Sequence, residues 1–162
     1  MFSICISQNI VENYKKDGDD IKLYDTCEFT FPVEGGRVIK VYDADTITIA
    51  TKLPFKMETP LYRFSIRLNG IDTPEMKGKD VTEEEKNAAN QAQKFVSDLV
   101  LNKYITLKNV KNEKYGRILA DVYIGEIHLN QLLLDQRYAV VYNGATKISP
   151  KSWIKYKETG EL

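Results

Sequence analysis

The hydrophobic period of this chain changes along its length, and that limits its fold more than any other feature. Thr46 and Thr48 alternate with Ile47 and Ile49, the period-two pattern of a half-buried strand. Arg63 to Leu68 alternates again, with Phe64, Ile66 and Leu68 on one face and Arg63, Ser65 and Arg67 on the other. Ala88, Ala92, Phe95, Val96, Leu99 and Val100 then recur at helical spacing. Beyond them, Ile118, Ala120, Val122 and Ile124 return to alternation.

The boundaries sharpen this pattern. Gly35-Gly36 reads as a turn, and Arg37 to Tyr42 as a strand ending at Asp43-Ala44-Asp45. Lys52 to Pro60 carries two prolines and reads as a long hairpin loop. Thr82-Glu-Glu-Glu85 is a capping box, with the Thr82 hydroxyl placed for an amide and Glu85 reaching back. Strands are expected near Tyr104 to Val110 and Arg117 to Ile124, a short helix over Leu129 to Arg137, and a last helix over Trp153 to Glu158. Cys27 to Pro32 reads as a short strand in an N-terminal extension, residues 1–34, ahead of a domain over 35–162. Three strands, a helix, two strands and a helix do not alternate as a parallel βα fold does. They predict an α+β domain, a five-stranded OB-fold β-barrel with about three helices.

Composition excludes some functions. The 162 residues suffice for one domain with a core, and 23 basic residues balance 23 acidic ones. Nucleic acid would therefore be held by a local patch or a metal, not by a global basic field. The stretch Lys103 to Arg117 has such an excess, with Lys103, Lys108, Lys111, Lys114 and Arg117 against Glu113. Cys5 and Cys27 show no metal-ligand spacing and read as thiols of a reducing compartment. No basic flank precedes the short apolar run at Met1, so no signal peptide is expected, and the localisation reads as cytoplasmic. No membrane span and no oligomer signal are present, so a monomer is expected.

Four clusters could carry chemistry: Asp43-Ala-Asp-Thr46, Arg67-Leu-Asn-Gly-Ile-Asp-Thr-Pro-Glu75, Lys114-Tyr-Gly-Arg117 and Leu129-Asn130. Phosphodiester hydrolysis needs positive charge on the phosphate oxygens, an activated water and in-line geometry. Asp45 and Asp72 are of the type that holds a hard cation, and Arg67 and Arg117 of the type that forks onto phosphate. Glu75 is of the type that takes a proton from water. Arg67 and Asp72 are an odd number of positions apart, so a regular strand would set them on opposite faces. A bulge at Gly70 would bring them to one face, and Pro74 would let Glu75 emerge beside Asp72.

Each of these residues also has an ordinary role. Asp45 and Asp72 border turns, Arg117 has Glu113 within reach as an ion-pair partner, and Tyr115-Gly116 suits a hairpin turn. The complete set in this order is what separates the two readings.

Asp45-Thr46, then Arg67 with Ile71-Asp-Thr-Pro-Glu75, then Lys114-Tyr-Gly-Arg117, then Asn130 resembles the ordered signature of the staphylococcal-nuclease-like (thermonuclease) family. The similarity runs from about Arg37 to Val141. It implies a calcium-dependent nuclease acting on DNA and/or RNA and leaving 3′-phosphate ends. It implies Asp45, Asp72 and the Thr73 carbonyl as calcium ligands, Glu75 acting on the attacking water, and Arg67 and Arg117 on the phosphate. Lys114 and Tyr115 match positions that bind the nucleotide, Tyr142 lies near the base-stacking tyrosines, and Asn130 matches a residue that ties the barrel together. Ala44 stands where the family has glycine, and the loop between Thr46 and Arg67 is longer than usual. The rival readings are a catalytically silent nucleic-acid- or protein-binding module on the same fold and a single-strand binder using exposed aromatics. Neither needs all five charged residues.

Overall fold

The structure is a computed structural model that describes residues 22–23, 26–55, 60–144 and 148–162. It divides into two units, residues 1–30 and 31–162. In the first, Thr26 donates from its amide and its hydroxyl to the Leu23 carbonyl, closing one turn. Cys5 lies outside the described residues, and Cys27 to Pro32 forms no strand.

The second unit is a barrel. Strands β1 (Gly35–Asp43), β2 (Thr46–Thr51) and β3 (Tyr62–Leu68) form an antiparallel meander, followed by β5 (Tyr104–Asn112) and β6 (Ile118–Ile124). The sheet runs β3-β2-β1-β5-β6, and a parallel β3–β6 pairing closes it, with Ile66 opposite Ile118 and Leu68 opposite Ala120. This is the five-stranded OB-fold-like barrel that the alternation predicts. Closure also removes the open edges that would otherwise invite another chain to pair. Inside it lie the inward residues of each alternation, among them Val38, Ile47, Ile49, Ile66, Leu68, Ile105, Ile118, Ala120 and Val122.

Gly35 and Gly36 do not turn the chain. They open β1, where a side chain would have no room: a Cβ on Gly35 would collide with the Ile105 carbonyl, and one on Gly36 would lie 2.7 Å from the Ala50 oxygen. Their sequence signature is the same as a turn's, but the reason for glycine here is close strand approach.

Helix α1 (Glu83–Val100) covers one end of the barrel with Ala89, Ala92, Val96 and Val100 buried, while Ala88, Phe95 and Leu99 are half-buried. The buried stripe is thus one residue round the helix from Ala88. Thr82 caps α1 through its hydroxyl, which accepts from the Glu85 amide at 3.1 Å. Helix α2 (Leu129–Asp135) follows the short β7 (Ile127–His128), and α3 (Trp153–Thr159) is capped by Ser152 and ended by Gly160 in the left-handed region. The β6–β7 turn falls at Gly125, φ 59°. Among the described residues, no helix is long and apolar enough to cross a membrane.

Asn130, at the start of α2, ties that helix to β6 and to the turn that follows β3. Its Oδ1 accepts from the Val122 amide at 2.9 Å, and its Nδ2 donates to the carbonyls of Asn69 at 2.8 Å and Ala120 at 3.3 Å. It is 3% exposed, and its loss would leave the buried Val122 amide without this partner, while the Ala120 carbonyl would keep the Asn69 amide. Asn130→Ala is expected to cost about 2–4 kcal/mol of stability, read by urea denaturation with an unchanged m-value.

Candidate active site

The site grows from the end of β1. Asp43 ends that strand, Ala44 is buried, and Asp45 and Thr46 lead directly into β2. Ala44 and Asp45 form the tight turn between Asp43 and its cross-strand partner Thr46, which leaves the Asp43 carboxyl beside that of Asp45. Asp45 is 3% exposed, and its Oδ1 accepts from the Thr46 hydroxyl at 2.9 Å. Burial raises its pKa to about 7; Arg67 opposes that rise in part, and the Asp43 carboxyl adds to it.

The second piece comes from the end of β3. Asn69 and Gly70 form a tight turn with Gly70 at φ 78°, and β4 (Ile71–Asp72) leaves it to pair with β8 (Val140–Val141). Arg67 and Asp72 therefore do share a face, but by a reversal into a new two-residue strand and not by a bulge inside one strand. Gly70 is the residue type this demands, since positive φ strains any side chain.

Arg67 joins the two pieces. Its Nη1 lies 2.9 Å from Asp45 Oδ2, and its Nη2 donates to Asp72 Oδ1 at 3.0 Å. Both carboxylates are nearly buried, and the guanidinium side chain is 17% exposed. Burial works against the charge on Arg67, yet Asp45 and Asp72 together outweigh it and hold the group more basic than usual. Glu113 adds to the same field.

Glu113 brings in the third piece. The chain leaves β5, makes a 3-10 turn over Lys114–Gly116 and enters β6 through Arg117. Arg117 Nε donates to Glu113 Oε2 at 2.6 Å and Nη2 to Oε1 at 3.0 Å, a two-pronged ion pair. Arg117 thus holds the partner that an ordinary turn arginine would take, and it stands in the same charge cluster as Arg67.

The remaining residues sit around this centre. Thr73 is buried beside Asp72. Glu75 is exposed, two residues further along the same loop, and its amide donates to Glu85 Oε1 at 3.1 Å. Glu85 therefore does not close a reciprocal capping box; its carboxylate tethers the Pro74–Glu75 loop to the first turn of α1. Lys103, Lys108, Lys111 and Lys114 are all exposed. The Tyr142 amide donates to the Gly70 carbonyl at 2.9 Å, which places its half-buried side chain beside the turn between Arg67 and Asp72. The Tyr115 side chain lies outside the described residues.

Asp43 is the residue that spacing could have found and that chemistry alone did not single out. Its Oδ1 is buried with no hydrogen-bond partner among the described residues. Asp45 and Asp72 thus share the Arg67 charge, and the Asp43 carboxyl adds its field at Asp45. Oxygen-only donors with surplus negative charge suit a hard divalent cation. Among the described residues, no three His, Cys, Asp or Glu side chains are drawn into one ready metal cage. In the present arrangement the positive charge between Asp45 and Asp72 is the arginine's.

Comparison with known proteins agrees with this geometry. The family model "Staphylococcal nuclease homologue" matches residues 65–159, more than half of the chain. A probable endonuclease, LCL3, of Podospora anserina is 30% identical over 155 residues, covering 90% of this chain and 51% of its own length. An uncharacterized endonuclease of Haemophilus influenzae is 30% identical over 106 residues, covering 65% of this chain and 51% of its own. An uncharacterized protein of Bacillus anthracis is 27% identical over 132 residues, covering 78% of this chain and 57% of its own. The chain spans about half the length of the curated relatives it matches. It belongs to the staphylococcal nuclease homologue family.

Proposed function

We propose that the protein is a calcium-dependent nuclease that hydrolyses phosphodiester bonds of DNA and/or RNA and leaves 3′-phosphate ends. The observation that carries this reading is one guanidinium, Arg67, bound at once by Asp45 from the β1–β2 turn and Asp72 from β4. Relatives named as endonucleases support it.

Asp45 and Asp72, with the Thr73 carbonyl, would hold the cation, and Asp43 would add negative charge behind Asp45. When bound, calcium supplies positive charge to the phosphate and polarises the oxygens it touches. With the aspartate charge met in that way, the Arg67 Nη groups can turn to the non-bridging phosphate oxygens. Arg117 forks onto the same phosphate from the other strand. Glu75, exposed on its tethered loop, takes a proton from the attacking water. Water oxygen bonds to phosphorus, the bond from phosphorus to the 5′ oxygen breaks, and that oxygen takes a proton from solvent to leave as a hydroxyl while the Glu75 carboxyl gives its proton back to solvent. Lys114 and Tyr115, with Tyr142 across the turn, flank the nucleotide. The exposed lysines of β5 would track the backbone, so affinity should fall with salt.

Digestion of plasmid and denatured DNA with calcium, and again with chelator, tests this. Cleavage is expected with calcium and none with chelator. Cleavage that survives chelation contradicts the metal requirement, and binding without any cleavage supports the silent module instead.

A further inference from the structure

Arg117 does not wait with an open fork. Glu113 fills both prongs, at 2.6 and 3.0 Å, and the Glu113 amide donates to the Arg117 carbonyl at 3.0 Å to close the loop between them. The two side chains are 22% and 33% exposed, so the pair is neither sealed in the core nor loose in solvent. The Glu113 carboxylate also lies close enough to Arg67 to strengthen its charge. A carboxylate forked on one guanidinium, in the field of a second, presents two anionic oxygens as a phosphate would.

We propose that Glu113 is a built-in competitor for the substrate phosphate, occupying the Arg117 fork at rest and yielding it when a phosphate arrives. This rests on the reading of the site as a phosphodiesterase. The physical basis is population arithmetic. A ligand that needs the open fork binds more weakly by the fraction of molecules in which the fork is open. Three residues separate the partners, and Gly116 at φ 76° sits in the turn between them. Glu113 can therefore swing away without unpairing β5 and β6, and return as the cleaved end departs. The same exchange lowers affinity for product, whose terminal phosphate would otherwise remain on two arginines. Lys114 is in the same turn and exposed, so it stays available to the phosphate while the fork is closed.

The test is calorimetric titration of thymidine 3′,5′-bisphosphate in calcium buffer at fixed ionic strength. Wild type is compared with Glu113→Gln, Glu113→Ala and Glu126→Gln. The last removes the same charge from the exposed β6–β7 turn. Both Glu113 variants should bind about five- to tenfold more tightly than wild type, the scale of one partly exposed ion pair, and Glu126→Gln should bind as wild type does. Equal affinity in wild type and both Glu113 variants, or equal tightening by Glu126→Gln, overturns the competitor and leaves the nuclease reading intact. Absence of binding in every protein overturns both. The Arg117 Nε–H resonance of the wild type gives a second readout that needs no variant. It should shift on bisphosphate addition as the partner changes, and an unmoved resonance at saturation contradicts the proposal.

Discussion

Arg67→Ala is expected to lower the rate of phosphodiester cleavage by about 10²- to 10³-fold, the loss typical of removing one preorganised donor to developing charge. The same change should lower stability without calcium by about 3–5 kcal/mol, because it leaves two nearly buried carboxylates without their cation. The two effects separate. Calcium at Asp45 and Asp72 would replace the missing positive charge, so it should restore much of the stability while leaving the rate low. Thermal melts with and without calcium, beside a cleavage assay, measure both. An Arg67→Ala protein that melts like wild type without calcium would mean that the two ion pairs contribute little. One that cleaves normally would remove Arg67 from the phosphate.

Glu75→Gln is expected to lower turnover by about 10²- to 10⁴-fold, the range of a lost general base. Here stability should not move, since the side chain is exposed and the loop is tied by the Glu75 amide to Glu85, a bond that glutamine keeps. Affinity for a nucleoside bisphosphate should also stay within about twofold, because an interaction needed only in the transition state does not show in ground-state binding. A large loss of binding with normal turnover would instead make Glu75 a ligand for substrate or cation.

Much of this was legible in the residues, and what was not has identifiable causes. The barrel strands were readable because each buries one face, and burial writes a period of two. The closing β3–β6 pairing was not readable, because two strands far apart in sequence carry no mark of being parallel neighbours. Strands β4, β7 and β8 have two residues each, too few for any period. The convergence of Arg67 and Asp72 followed from an irregularity at Gly70, against their odd spacing, but glycine signals both a bulge and a turn, and the structure has the turn. The Gly35-Gly36 pair failed for the same reason, since close strand approach and reversal call for the same residue. Glu85 matched a capping box by spacing, yet spacing cannot say which of two nearby amides a carboxylate takes. The Arg117–Glu113 pair was visible as an ordinary ion pair. Only its position in the field of Arg67 connects it to the site.

Protonation bears on how the cation should be measured. Burial lifts Asp45 to about 7 from 3.8, with Asp43 adding to the rise and Arg67 opposing it. A carboxyl raised on folding stabilises the cation-free protein fully below 3.8, and that contribution is lost as the pH rises through about 7. Protons and calcium compete for the same oxygens, so calcium should bind more tightly at pH 8 than at pH 5.5.

Calorimetric titration of calcium at pH 8 into wild type, Asp45→Asn and Asp72→Asn is therefore the most direct measurement. A single cation site in the wild type, lost or weakened by at least about tenfold in each variant, is the expected result. No calcium binding by the wild type, or equal affinity in all three proteins, would contradict the placement of a metal-dependent centre between these two aspartates.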